Sequence, residues 1–184
     1  MCIRDSMAGT WQYGNVDDIP KAARDWPQLR FLIYHSAIRS GGLPTGDQLN
    51  LFEEKGEIPW VSDLARIPEQ YGVDNVYAEL GSVFAVTSVS APRYCAGILG
   101  TLIKGMGEDR VLWGTDSVWY GSPQWQIEAL RRLKMPEDLQ KKFGFRPLGP
   151  ADGRLKNRIF SDNARQVYSF DTSGVGTDRL AKMK

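Results

Sequence analysis

A parallel α/β fold is predicted from three observations on this 184-residue chain. Short apolar runs alternate with segments of helical pattern, the runs are apolar at consecutive positions as in strands buried on both faces, and each ends on or beside a polar residue. Taken in order, Val16 to Asp25 has acidic residues at its start and reads as a helix stopped by Trp26-Pro27. Arg30 to His35 (RFLIYH) is the first strand, and 40–56 is read as a long glycine-rich loop. Trp60 to Gln70 places Trp60, Leu64 and Ile67 at helical spacing, with Pro68 breaking its end. Asn75 to Leu80 (NVYAEL) is the second strand, followed by Gly81-Ser82. Pro92 to Lys104 is the best helix, with proline near its start and Gly105 after its end. Arg110 to Thr115 (RVLWGT) is the third strand and leads into Asp116. Helices are predicted at 122–133, at 136–143 and from Asp152 or Gly153 to Tyr168, and a disordered tail over 171–184.

The order is helix, strand-helix three times, then extra helices, which specifies parallel strands joined by crossovers. Three strands cannot close a barrel. They suit either a small open sheet or the last three units of an eight-stranded barrel, which needs about 250 residues. In either case the C-terminal strand ends lie on one face, so His35, Glu79 and Asp116 converge there. An apolar strand such as Arg30 to His35, left at the sheet's edge, invites self-association, so a homo-oligomer is open.

Charge and composition narrow the partners. Lys+Arg number 23 against 22 Asp+Glu, for a net charge of +1, which leaves no electrostatic footprint for nucleic acid or an anionic membrane. No run approaches the roughly 20 apolar residues of a membrane span, and no basic-then-apolar leader opens the chain. A cytoplasmic protein acting on a small molecule is expected. Cys2, Cys95 and a single histidine exclude a disulfide framework, a cysteine-ligated zinc site or a multi-histidine cage built from this chain alone. Residues 1–6 (MCIRDS) are what ATGTGTATAAGAGACAG encodes with one further base, a string resembling the end left by a library-preparation transposase. They are expected to be a sequencing-derived artefact ahead of a domain over 7–170 whose natural frame continues upstream.

Each chemical candidate has a structural counterpart. His35 is either a core histidine bonded to a carbonyl or an imidazole aimed into a site as general base or metal ligand. Asp116, directly after VLWGT, is costly to bury unless it meets a cation or several donors, the alternative being a helix cap or salt bridge. Glu79 reads as structural. Trp119 and Tyr120 either wall a substrate pocket or pack under their loop, and Arg39 is either an anion anchor or solvated. No nucleophile elbow, phosphate loop or dinucleotide fingerprint occurs in its required context.

Four segments in this order, RFLIYHSAI, NVYAELGS, RVLWGTDSVW and IFSDNARQVY, resemble the C-terminal half of the amidohydrolase-related metal-dependent hydrolases, a group that includes aminocarboxymuconate semialdehyde decarboxylase and related nonoxidative decarboxylases. The resemblance covers about Val16 to Phe170 and is most specific at Asp109 to Asp116. It implies strands six to eight of a TIM-type (β/α)8 barrel. It further implies Asp116 as a metal-binding and catalytic aspartate, His35 as a catalytic acid/base, and Arg39, Trp119 and Tyr120 as substrate contacts. The implied cofactor is a divalent metal, zinc first, that acidifies a water and polarises a carbonyl. The implied reaction is hydrolysis of a C–N or C–O bond in a small carbonyl substrate, with nonoxidative decarboxylation on the same scaffold as the alternative. Two departures stand out: Ser36-Ala37 occupies the place of a glycine pair, and the His-x-His of strand one and the ligand after strand five are absent. The chain alone is therefore expected to be inactive. A non-catalytic α/β binding module is the reading from another class.

Overall fold

The computed structural model describes residues 1–5, 14–39 and 43–169. Four parallel strands form one sheet in the order β1 (Cys2–Asp5), β2 (Phe31–Tyr34), β3 (Val76–Glu79) and β4 (Val111–Leu112). Registers run Cys2 to Phe31, Phe31 to Val76 and Ala78 to Val111, and Leu80 N–H adds a bond to Leu112 O at 3.0 Å. The helices are α1 (Ile19–Asp25), α2 (Gly46–Lys55), α3 (Val61–Tyr71), α4 (Gly81–Ser90), α5 (Pro92–Met106), α6 (Ser117–Tyr120), α7 (Gln124–Arg132), α8 (Glu137–Phe143), α9 (Arg154–Asn157) and α10 (Asn163–Tyr168). None of the described helices is long and apolar enough to cross a membrane.

Alternation along the strands builds two apolar layers. Phe31, Ile33, Val76, Ala78 and Val111 face the helices and join the large core with Leu64, Phe84, Leu99 and Leu102. Leu32 and Leu112 face the other way, where Val167 of α10 covers them beside Tyr34 and Tyr77. This two-sided burial is why FLIY carries no polar alternation. At the sheet's N-terminal end two asparagines close the fold. Asn75 Nδ2 reaches the carbonyls of Ala23, Trp26 and Leu29 at 3.1, 3.2 and 2.9 Å, and Asn163 Nδ2 reaches those of Glu108 and Val111 at 2.7 and 2.8 Å. Arg30 adds a bond to the Val167 carbonyl, tying α10 beneath the sheet.

Several expectations change. The edge beside β2 is not open: Cys2–Asp5 pair along its whole length, within the residues expected to be an artefact. The stretch read as a loop over 40–56 contains α2, started by a reciprocal cap in which Thr45 Oγ1 accepts from Gln48 N–H and Gln48 Oε1 from Thr45 N–H. Residues 81–90, given no element above, form α4, where a β-branched, apolar sequence is helical because it is buried between the sheet and α5. α5 runs two residues further, to the buried Met106, and α3 passes through Pro68 to Tyr71. The last long helix runs unbroken over 154–168, with a π-helical turn at 158–162 between α9 and α10. The strand expected over Arg110 to Thr115 contributes only two ladder residues. The predicted tail over 171–184 and the Gly41-Gly42 pair lie outside the described residues.

Candidate active site

The chain leaves β2 through a left-handed turn. His35, Ser36 and Ala37 have φ of 56°, 51° and 58°, three consecutive non-glycine residues in a region that disfavours a Cβ. Glu79, at the end of β3 and 8% exposed, holds the turn: its Oε2 accepts the His35 N–H at 3.2 Å and its carbonyl accepts the Ser36 hydroxyl at 2.9 Å. Two glycines make room. A Cβ on Gly114 would stand 1.3 Å from Glu79 Oε1, and one on Gly81, at φ 38°, would stand 2.6 Å from His35 Nδ1. Glycine inside a strand-like run marks such a close approach, and this is the signal by which Glu79 could have been recognised.

Asp116 follows β4 and is itself left-handed at φ 47°, a conformation that aspartate tolerates better than most residues. Its approach is set by packing more than by the ladder. Trp113 N–H bonds to Ile159 O at 3.1 Å, and the Trp113 ring sits edge-on between Phe84 and Phe160, with centroids 5.2 and 4.9 Å away. The buried Gln126 of α7 then donates Nε2 to the Thr115 carbonyl at 2.7 Å. The result brings Asp116 Oδ2 to 3.3 Å from His35 Nδ1, across β3, with side-chain exposures of 24% and 8%. Ser82, on the first turn of α4, stands between them. Its N–H is 3.0 Å from both His35 Nδ1 and Asp116 Oδ2, and its hydroxyl donates to the same Oδ2 at 2.5 Å. Sequence reasoning missed Ser82 because its chief contribution comes from the main chain.

The residues expected to contact substrate are spread more widely. The Arg39 guanidinium lies over the Trp60 ring, 5.7 Å from its centroid. Trp119 is 80% exposed on α6 beside Val118 at 84%, while Tyr120 is half-buried and accepts Trp125 Nε1 at 3.4 Å through its carbonyl. A cleft of about 410 Å³ lies elsewhere, in the helix layer between α2, α3, α5 and α8, with Lys55, Arg66, Thr101 and Phe143 among its lining residues. No group of three or more His, Cys, Asp or Glu residues forms a metal cluster among the described residues. Asp116 Oδ1 is an atom the site offers a cation, since it receives no hydrogen bond among the described residues and every bond to that carboxylate reaches Oδ2. One open carboxylate oxygen fits a contribution to a divalent ion, not a complete shell.

A histidine, a glutamate and an aspartate gathered at the C-terminal ends of adjacent parallel strands define a site of the kind that (β/α)8 enzymes carry. A family model for amidohydrolases matches residues 6–170, and the chain belongs to that family. No curated protein matches the sequence. Among solved structures, an amidohydrolase from Burkholderia multivorans with bound zinc is similar at a TM-score of 0.56 and 11% identity, over 92% of this chain and 53% of that one. A candidate 2-pyrone-4,6-dicarboxylic acid hydrolase from Pseudomonas putida is similar at 0.50 and 18%, over 85% and 50%. The 5-carboxyvanillate decarboxylase of Sphingomonas paucimobilis aligns at 0.43 and 15%, over 82% and 36%. The chain thus spans about half the length of the first two structures.

Proposed function

We propose that this chain carries the strand-six-to-eight side of a metal-dependent hydrolase that cleaves a C–O or C–N bond in a small carbonyl substrate. The observation that supports it is the His35, Ser82 and Asp116 cluster, with Nδ1 and Oδ2 3.3 Å apart at the ends of strands flanking β3. Asp116 is the residue here that would hold a divalent ion, zinc first, through Oδ1, with the other ligands lying outside the described residues. Such an ion, when bound, supplies Lewis acidity and an acidified water. The chain's own residues do the rest. Asp116 takes the proton released as water adds to the carbonyl carbon and passes it to His35 Nδ1, 3.3 Å away, as Nε2 gives its own proton to the departing oxygen or nitrogen. Glu79 keeps His35 in its left-handed turn, so that the ring is preorganised for that transfer. As substrate contacts, Arg39 is assigned to a carboxylate and Trp119 and Tyr120 to a planar ring.

The test is isotopic and uses the whole enzyme with a pyrone dicarboxylate lactone and an aromatic ortho-hydroxycarboxylate. Hydrolysis in H₂¹⁸O places ¹⁸O in the carboxylate product. Decarboxylation instead releases CO₂ and, in D₂O, places deuterium on carbon, because His35 would then protonate the carbon whose C–C bond breaks. Deuterium on carbon with no ¹⁸O incorporation replaces the hydrolase by the lyase. Binding of either compound without any product points to the non-catalytic module.

A further inference from the structure

We propose that Ser82 is the positioning residue of this site, and that it decides which nitrogen of His35 carries the proton and which oxygen of Asp116 stays open. The inference deepens the reading above and rests on it only for the roles given to His35 and Asp116. A peptide N–H can only donate. With Ser82 N–H 3.0 Å from Nδ1, that nitrogen presents its lone pair, and a neutral imidazole then bears its proton on Nε2. The competing arrangement puts the proton on Nδ1 and donates it directly to Asp116 Oδ2 at 3.3 Å. Ser82 disfavours it, because Oδ2 already faces that same N–H at 3.0 Å and receives the Ser82 hydroxyl at 2.5 Å. Two acceptors therefore face each other across a shared donor that is only 4% exposed, too buried for water to substitute for it. Gly81 permits the arrangement, since a Cβ there would collide with Nδ1.

The consequence separates two chemistries that the sequence left joined. With its proton on Nε2, His35 gives that proton up only as Nδ1 takes another from Asp116 Oδ2, whereas a metal ligand needs a bare nitrogen. Asp116, with Oδ2 engaged by Ser82, keeps Oδ1 for a cation. Ser82 thus assigns the acid to His35 and the ligand to Asp116.

Nuclear magnetic resonance of the ¹³C,¹⁵N-labelled 184-residue chain tests this without metal or substrate. His35 is the only histidine, so the ring gives one pair of nitrogen signals. At about pH 9, above the ordinary imidazole range, the expected result is a proton on Nε2 and a ¹⁵N–¹⁵N coupling across the hydrogen bond between the Ser82 amide and Nδ1. Ser82→Pro removes both donors at a first-turn position where proline suits the helix. In it the coupling disappears and the form protonated at Nδ1 becomes populated. Ser82→Ala keeps the coupling but moves the Asp116 carboxylate ¹³C signal, and Ser82→Thr returns that signal towards its parent position. A proton on Nδ1 in the parent chain, the absence of the coupling, or a folded Ser82→Pro chain with the parent's tautomer overturns the proposal. Should Ser82→Pro fail to fold, the parent's coupling decides alone. The isotopic assay judges the hydrolase reading separately, so each can fail without the other.

Discussion

The two ends of the sheet are built on opposite terms. At the C-terminal end, His35, Ser36, Ala37 and Asp116 account for four of the six left-handed non-glycine residues among those described, and the carboxylates of Glu79 and Asp116 are turned inward. At the N-terminal end, Asn75 and Asn163 spend their amides on backbone carbonyls and bring no second functional group with them. Strain of order 1–3 kcal/mol per left-handed residue survives only where neighbours over-determine it. Glu79 supplies that determination within the upper end itself, through the His35 N–H and the Ser36 hydroxyl, while the asparagines tie down the lower end; stability below and chemistry above is the division expected of a barrel.

Substitutions at the two ends should therefore separate activity from stability. The largest effect falls at the top. In the whole enzyme His35→Asn should cost roughly 10²–10⁴-fold in turnover while metal content and melting temperature hold, because asparagine accepts the left-handed turn. Asp116→Asn should lower turnover and metal content together. Kinetics with metal analysis checks both, and full turnover in Asp116→Asn would end the assignment.

Alkali should act on the helix layer and leave the site's geometry intact until the fold fails. Burial holds the Cys95 thiol and the Tyr94 hydroxyl each up to about 12. Folded, both stay protonated while the unfolded chain ionises from about pH 9 upward, so their stabilisation is complete below that pH and lost as pH rises through the folded values. For Cys95 alone the loss is roughly 3 kcal/mol by about pH 11. Melting followed against pH, with Cys95→Ala flattening the decline, checks it.

Asn75→Ala and Asn163→Ala should each remove about 1–3 kcal/mol of stability by stranding buried carbonyls, and both should leave the His35 tautomer unchanged. A tautomer change in either would erase the distinction between the two ends. The smallest effect is expected at Ala37→Gly. Removing the Cβ at φ 58° relieves about 1–2 kcal/mol of left-handed strain and is partly offset by glycine's entropy, for a net gain of about 0.5–1 kcal/mol in denaturant melts.

What was legible followed from residue type. Apolar runs ending in His35, Glu79 and Asp116 announce strands and a shared face, and the structure places those three ends side by side. α2 was hidden by Pro44 and the glycines before it, although the Thr45 and Gln48 pair is an N-terminal signature. α4 was hidden because GSVFAVTSVS has the composition of a strand, and only its burial against α5 makes it helical. Glu79 reads as structural because strand alternation can turn it towards the helix layer, and in the structure it holds the His35 turn, in space left by Gly81 and Gly114. Ser82 was illegible in principle, since any non-proline residue there supplies the same N–H. The pairing of Cys2–Asp5 with β2 depends on a partner 29 residues away and has no local pattern.

The clamp on Trp113 bears on how this site would age with heat. β4 contributes two ladder residues, so the backbone leading to Asp116 is held chiefly by an indole gripped between two rings and by one amide from α7, with Ser82 holding the carboxylate itself. On warming, the aspartate should drift out of range of Ser82 while the sheet is still whole, and in 5-fluorotryptophan-labelled protein the ¹⁹F signal assigned to Trp113, one of six tryptophans, should shift before the far-ultraviolet signal falls. The working temperature of the enzyme would then be set by the tightness of three aromatic side chains, below the temperature at which the chain unfolds.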